Sequence, residues 1–363
     1  MRRRPGGRLR SVARGAHPAG VPIPRARVRR TGIRRTSGPG HDGRPGCGLL
    51  LVVQAARTNA AAKVNAIAQA LDKVLNTVAD RVANPARVSD PDRLRGAVGG
   101  RTVLVTGASY GIGEATARRL AAAGATVLVV ARSEERLGEL TAAINAGGGR
   151  AVAYPTDLTD ESAVSALTKQ ITEEHGPLDV VVSNAGKSLR RSLHHQYDRP
   201  HDFQRTIDVN YLGPVRLLLG LLPAMRDNGR GHVVNVSSVG VRVVPGPQWG
   251  AYQASKGAFD RWLRSVAPEL HADGVHVSTV YFALVRTRMI APTPVLGRLP
   301  GLSPDQAADV IAKAVIERPR TLEPPWVLPA ELASVLLAGP ADRAARLWHR
   351  RFFTDAEEAG RER

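Results

Sequence analysis

The sequence predicts an α/β protein, a doubly wound parallel sheet held between two layers of helices. Three observations carry that expectation. Six short runs are apolar almost throughout: TVLVT, TVLVVA, AVAYP, LDVVVS, HVVNVS and VHVSTVYF. Strands of this kind belong to a parallel sheet buried on both faces. Stretches of helical length alternate with them, as βαβ units require. Finally, TGASYGIG at 106–113 follows the first run and opens the first helix, where a parallel sheet places a ligand-binding turn.

Taken in order, residues 1–46 hold thirteen Arg against one Asp, which supplies +12 of the formal net charge of +19. With nine Gly, six Pro and no aromatic residue, this segment cannot bury enough apolar surface and is expected to be disordered. It reads either as an arm that neutralises nucleic-acid phosphates or as an extension without a role, and composition favours the second. Residues 47–98 are expected to form a helical extension and linker. Val64, Ile67, Leu71, Val74, Val78 and Val82 make one stripe over 58–83, and Asn84-Pro85 and SDPDR (89–93) then break the chain. The main domain is expected over 99–320. Its strands fall at 102–106, 126–131, 151–155, 178–183, 232–237 and 275–282. Its helices follow the glycine loop to about 123, then cover 134–146, 160–174, 203–227 as one long rod, 251–272 and 303–318, the last capped by Ser303 with Pro304 at its first position. Residues 321–363 are expected to be a helical extension, with helices near 330–338 and 341–353. There Leu347, Trp348, Phe352 and Phe353 stand among Arg343, Arg346, Arg350 and Arg351. Docking on the domain is the preferred reading of this basic amphipathic end, and peripheral membrane contact the alternative.

Composition excludes several classes. No apolar run approaches the ~18–20 residues of a membrane span. The single Cys47 leaves no disulfide framework or cysteine metal site and fits a reducing cytoplasm. His194, His195 and His201 form no metal-ligand framework, so no metal is expected.

The chemistry sits in short motifs. In the glycine loop, Gly107 permits a tight turn, Gly111 lets backbone approach a pyrophosphate, and Gly113 allows close helix–strand packing. The helix that follows offers unpaired N–H groups to the phosphates. After the second strand, Ala131-Arg132-Ser133 stands where an NAD site wants a carboxylate for the ribose 2′-hydroxyl. Arg132 can instead fork onto a 2′-phosphate, so the expected cofactor is NADP(H). In AYQASKGAFD (251–260), Tyr252 and Lys256 lie one helical turn apart on one face. Of 51 basic residues only six are Lys. Lys is the cation whose proton affinity responds to its surroundings, so the pair reads either as a surface pair on an ordinary helix or as a proton donor with the cation that tunes it.

Together these motifs carry a resemblance. TGASYGIG, Asp157-Leu158, SNAG at 183–186, Asn210 in DVNYLG, SSVG at 237–240 and YQASK at 252–256 stand in the order and spacing of the short-chain dehydrogenase/reductase family, which the chain resembles over about 101–318. The resemblance implies a Rossmann-like domain and an NADP(H)-dependent oxidoreductase with Asn210, Ser238, Tyr252 and Lys256 as its catalytic set. Tyr252 would protonate the substrate oxygen and Ser238 would hydrogen-bond it. Lys256 would hold the nicotinamide ribose, and Asn210 a water that relays protons to Lys256. Lowering a phenol from about 10 to near 7 takes about 4 kcal/mol, which Lys256 and an oxidised nicotinamide would supply by charge. Cofactor contacts are implied at Gly107, Ser109, Tyr110, Gly111, Ile112, Gly113, Arg132, Asp157, Leu158, Asn184, Ala185, Gly186, Tyr252, Lys256 and Thr287. Residues 184–226 and LVRTRMIAPT (284–293) further resemble the bacterial short-chain-type fatty acyl-CoA reductases, although Phe282-Ala283 stands where most of the family has Pro-Gly. That implies an acyl-CoA substrate, with Arg190, Arg191, Arg286 and Arg288 either at its CoA phosphates or as solvated surface charges, and the wider family implies a homo-oligomer. The alternatives are a ketoreductase or alcohol dehydrogenase on another small molecule, and a cofactor-binding interaction protein with a basic arm.

Overall fold

The computed structural model describes residues 80, 82–88, 90–243, 246–290 and 301–350. The segment 1–46, nearly all of the helix expected over 58–83 and residues 351–363 lie outside them.

Seven parallel strands form one sheet: β1 (Thr102–Thr106), β2 (Thr126–Ala131), β3 (Arg150–Pro155), β4 (Val180–Ser183), β5 (Gly231–Ser238), β6 (Val275–Phe282) and β7 (Thr321–Leu322). Their order is β3-β2-β1-β4-β5-β6-β7, so the winding reverses between β1 and β4. The helices are α1 (Pro91–Val98), α2 (Gly111–Ala122), α3 (Glu134–Ala146), α4 (Glu161–His175), α5 (Pro200–Ile207), α6 (Gly213–Asp227), α7 (Gly250–Ala272), α8 (Pro304–Glu317), α9 (Val327–Leu336) and α10 (Ala338–His349).

Alternation along each strand divides the core in two. Val103, Val105, Val127 and Val129 join Leu120 of α2, Leu137 of α3 and Ile311 of α8 on one face. Leu104, Leu128 and Val181 join Ile171 of α4, Leu217 of α6 and Phe259 of α7 on the other. Each fully buried Val or Leu contributes about 1.5–3 kcal/mol by leaving water. This three-layer arrangement is the fold the apolar runs predict.

Four boundaries differ from expectation, each for a local reason. SDPDR is not a linker. Asp90 accepts from Asp92 N at 3.0 Å and Arg93 N at 3.3 Å, capping α1, whose Leu94 and Val98 are buried in the core. The sheet also continues past 320, because Thr321 and Leu322 pair with Thr279 and Val280 as β7. The rod expected over 203–227 is three pieces, with a π-helical turn at Asp208–Leu212 between α5 and α6. Gly213 closes that turn against the Leu158 carbonyl, where a Cβ would approach to 2.5 Å. Lastly, α9 and α10 begin three residues earlier than expected, and Leu347 of α10 is 67% exposed. On the domain side α9 buries Val327 and pairs Glu331 with Arg242, and the side chains of Trp348, Phe352 and Phe353 lie outside the described residues. By contrast, Ser303 caps α8 as expected, in a reciprocal pair with Gln306.

One buried group makes stability depend on acidity. His232 of β5 is buried, and its Nε2 donates to Ser278 Oγ at 2.9 Å, since that hydroxyl donates to the Pro319 carbonyl. Burial, and then Arg318, His276 and His271, pull its pKa down to about 3. The native state keeps His232 neutral while the unfolded chain takes up a proton below its ordinary pKa of about 6.5. Stability from this group is thus complete above pH 6.5. It falls by about 1.4 kcal/mol per pH unit toward pH 3. Urea unfolding at pH 7 and pH 5 should show a loss of about 2 kcal/mol from this group. His232→Val should flatten that acid limb; an unchanged limb would contradict the assignment.

Candidate active site

The carboxyl ends of β1, β2, β3 and β4 open into a cavity of about 620 Å³ at the reversal of the winding, where open α/β sheets bind ligands. Gly107, Ser109, Tyr110, Gly111, Ile112, Arg132, Asp157, Leu158, Asn184, Ala185, Gly186 and Thr287, all predicted cofactor contacts, line it. Gly113 stands behind: a Cβ there would lie 2.3 Å from the Gly107 carbonyl. At Gly107 the backbone has φ +67°, and a Cβ would come within 2.8 Å of Ala185 Cα. Tyr110, the N-cap of α2, makes no side-chain capping bond, so the first N–H groups of that helix have no side-chain acceptor. Glycine cradle, bare helix N-terminus and cavity together fit a dinucleotide pyrophosphate.

Asn184 ties the floor of the cavity together. Its Nδ2 donates to the carbonyls of Thr106 at 2.9 Å and Gly107 at 3.3 Å, while Thr106 Oγ1 accepts from the backbone of Asn184 and Ala185. Asp157 Oδ1 is engaged by Thr159 N and Oγ1 at 2.9 and 2.8 Å, which fixes the turn after β3. At the mouth, Tyr110 lies between two guanidinium groups. Arg136 Nε donates to its hydroxyl at 2.8 Å, and the Arg288 guanidinium carbon stands 4.2 Å from its ring centre. Hydrogen bonding from Arg136 lowers the Tyr110 phenol first among several causes. Thr287 reaches the same loop, 3.0 Å from where a Gly111 Cβ would sit.

The four predicted catalytic residues flank one end of this cavity without lining it. Tyr252 and Lys256 come from α7, Ser238 from the end of β5 and Asn210 from the π turn. Gly186 joins the two groups, since a Cβ there would lie 3.0 Å from Asn210 Oδ1 and 3.1 Å from Lys256 Cε and Nζ. Lys256 is buried and donates to the Val236 carbonyl at 3.1 Å, and burial pulls its pKa down to about 8. Tyr252 is partly exposed, its ring 5.8 Å from that of Trp249.

Burial raises the Tyr252 phenol, and a hydrogen bond with Ser238 opposes it. Protein groups alone keep Tyr252 neutral at pH 7, a proton donor rather than a poised phenolate. The Asn210 side chain bonds through both of its polar atoms. Its Oδ1 accepts from Lys187 N at 2.7 Å, and its Nδ2 donates to Lys187 O and Ser255 Oγ, both at 2.9 Å. The π turn also shifts backbone pairing at that point.

Sequence reasoning missed Lys187 and Arg205, which line the cavity as Arg132 does. Burial first, then Arg205 and Arg132, lower the Lys187 pKa, so the three cations share one field. The scarcity of Lys was the signal available for Lys187, beside SNAG. Of the residues expected to meet CoA phosphates, Arg191 forms an ion pair with Asp202 at 3.0 Å, and Arg288 belongs to the cofactor side of the cavity.

A glycine cradle at the winding reversal, with Tyr, Lys, Ser and Asn gathered at one end, defines a nucleotide-dependent oxidoreductase. The chain belongs to the short chain dehydrogenase family, whose model matches residues 101–294. It is 46% identical over 253 residues to an uncharacterized oxidoreductase of Mycobacterium tuberculosis, covering 69% of this chain and 74% of that protein. It is 45% identical over 225 residues to a fatty acyl-CoA reductase of Acinetobacter baylyi, covering 62% of this chain and 76% of that one. Among solved structures, a metagenomic short-chain oxidoreductase in complex with NADP is 35% identical. That match has a TM-score of 0.53 and covers 61% of this chain and 92% of that chain.

Proposed function

We propose that the protein reduces a fatty acyl-CoA thioester to an aldehyde with NADPH, using Tyr252 as the proton donor. The observation that carries this reading is the placement of Lys256 and Asn210 beside Gly186 of the cavity wall, with Ser238 at the Tyr252 phenol and Arg132, Lys187 and Arg205 lining the same cavity. The likeness to the Acinetobacter fatty acyl-CoA reductase supports the substrate class.

When bound, the nicotinamide supplies a hydride to the thioester carbonyl carbon. Ser238 donates a hydrogen bond to the carbonyl oxygen and favours the charge that grows there. Tyr252, neutral at pH 7, gives its proton to that oxygen. The resulting hemithioacetal breaks its C–S bond, releasing the CoA thiol and leaving the aldehyde. Lys256, with a pKa near 8, holds positive charge beside the phenolate that Tyr252 becomes. Proton return to Tyr252 runs past Lys256 and Asn210.

NADPH preference rests on Arg132, with Lys187 and Arg205 in the same cavity and no carboxylate at the end of β2. A charge-assisted bond from Arg132 to the 2′-phosphate is worth about 1.5–3 kcal/mol. Arg132→Ala should therefore lower kcat/KM for NADPH by about 10–100-fold and leave that for NADH nearly unchanged. Equal loss with both cofactors would contradict this role.

The substrate is tested by following NADPH oxidation with palmitoyl-CoA beside a panel of ketones and aldehydes. Turnover of palmitoyl-CoA with release of CoA thiol is expected. Silence toward the thioester with turnover of a ketone would replace this reading by the ketoreductase one.

A further inference from the structure

The C-terminal helices expose a run of apolar side chains that the oxidoreductase chemistry does not use. On α9, Leu328, Leu332, Val335 and Leu336 recur at steps of four, three and one, so they share one face. Val335 and Leu336 are 71% and 79% exposed, and of the α9 residues Val327 is the buried one. Leu337, between the helices, and Leu347 on α10 are exposed as well. An apolar surface of this kind marks a docking site.

Charge selects the occupant. Beside Leu347, α10 exposes Arg343 and Arg346 against the single acid Asp342. The acids on the other side, Glu323 and Glu331, are committed to Arg242, whose Nη1 donates to Glu323 Oε2 at 2.7 Å and whose Nε donates to Glu331 Oε2 at 2.8 Å. The charge left to meet a partner is cationic. A second copy of this chain would bring like charges together, whereas an anionic lipid surface complements both the charge and the leucines.

We propose that α9 and α10 dock on an anionic phospholipid bilayer, with the α9 leucines at the acyl boundary and Arg343 and Arg346 at the headgroups. Among the described residues no helix is long and apolar enough to cross a membrane, so this contact is peripheral. Arg242 lies four residues beyond Ser238, and its pairing with Glu331 ties α9 to the segment leaving the catalytic strand. Docking therefore holds the candidate active site beside the lipid. The inference rests on exposure and charge, and stands whether or not the substrate is an acyl-CoA.

Co-sedimentation of the full chain with vesicles tests it. One set is phosphatidylcholine alone; the other contains roughly a quarter phosphatidylglycerol. Binding to the anionic vesicles is expected. At about 1 M salt, where the Debye length is ~3 Å and attraction through the basic 1–46 segment is screened, a fraction should remain bound. The double variant Leu332→Ser/Leu336→Ser should reduce that fraction about tenfold or more. The double variant Arg343→Glu/Arg346→Glu should weaken binding at low salt. Both should keep the wild-type thermal midpoint and NADPH affinity. Equal partitioning of wild type and variants would overturn the proposal. So would a wild-type dimer that ignores vesicles and is split by the leucine substitutions, which would assign the face to a second copy.

Discussion

Replacing Tyr252 by Phe is expected to lower kcat for carbonyl reduction by about 10²–10⁴-fold, the range contributed by a positioned general acid. The change deletes one hydroxyl on α7 and leaves the ring beside Trp249. It does not touch the glycine cradle, so NADPH should bind nearly as before. The effect has a clear origin in the site. Burial raises the phenol and Ser238 partly offsets it, so the hydroxyl keeps its proton at neutral pH. Hydride addition to the carbonyl without that proton would leave an alkoxide facing only Ser238. Pre-steady-state NADPH oxidation checks this, and an unchanged rate in Tyr252→Phe would remove the residue from the mechanism.

Lys256→Met should cost on the order of 10²-fold in kcat, for electrostatic reasons, and should change the pH profile as well. Lys256 is pulled down to about 8 by burial, with the Val236 carbonyl as its hydrogen-bond acceptor at 3.1 Å. Below pH 8 it carries the charge that stabilises the Tyr252 phenolate; above pH 8 that charge is lost. The wild-type kcat/KM should therefore fall with a single-proton limb near pH 8, which reports the free enzyme. In Lys256→Met the limb should vanish. Lys256→Arg should not restore activity, because the planar guanidinium is larger and the space is so tight that a Cβ on Gly186 would lie 3.1 Å from the lysine tip. A limb that persists in Lys256→Met would assign it to another group.

Much of this site was legible in the sequence because it depends on short, local patterns. TGASYGIG must follow a strand and open a helix, and it does so between β1 and α2. Tyr252 and Lys256 share a face because four residues make about one turn of α7. What escaped depends on contacts between distant segments. Thr321 and Leu322 become a strand only because β6 offers an open edge, and a two-residue run has no periodicity to read. The π turn at Asp208–Leu212 is set by Leu158 and Lys187 pressing on Gly213 and Asn210 from other loops. Lys187 and Arg205 join Arg132 through the fold, not through spacing. The sign of the protein's effect on Tyr252 also could not be read from a lysine four residues away. Burial, a tertiary property, raises the phenol and outweighs the Ser238 hydrogen bond. At the C-terminus helical stretches are visible in the sequence, but that α9 buries Val327 and exposes Leu332 is decided by packing.

The central claim is that hydride passes from NADPH to a carbonyl held by Tyr252 and Ser238. Transfer of deuterium from NADPH labelled at the reactive nicotinamide carbon, with palmitoyl-CoA as acceptor, tests it most directly. The account predicts one deuterium on the aldehyde carbon that was the thioester carbonyl, with label transfer nearly abolished in Tyr252→Phe. An unlabelled aldehyde, or equal label from wild type and Tyr252→Phe, would contradict it.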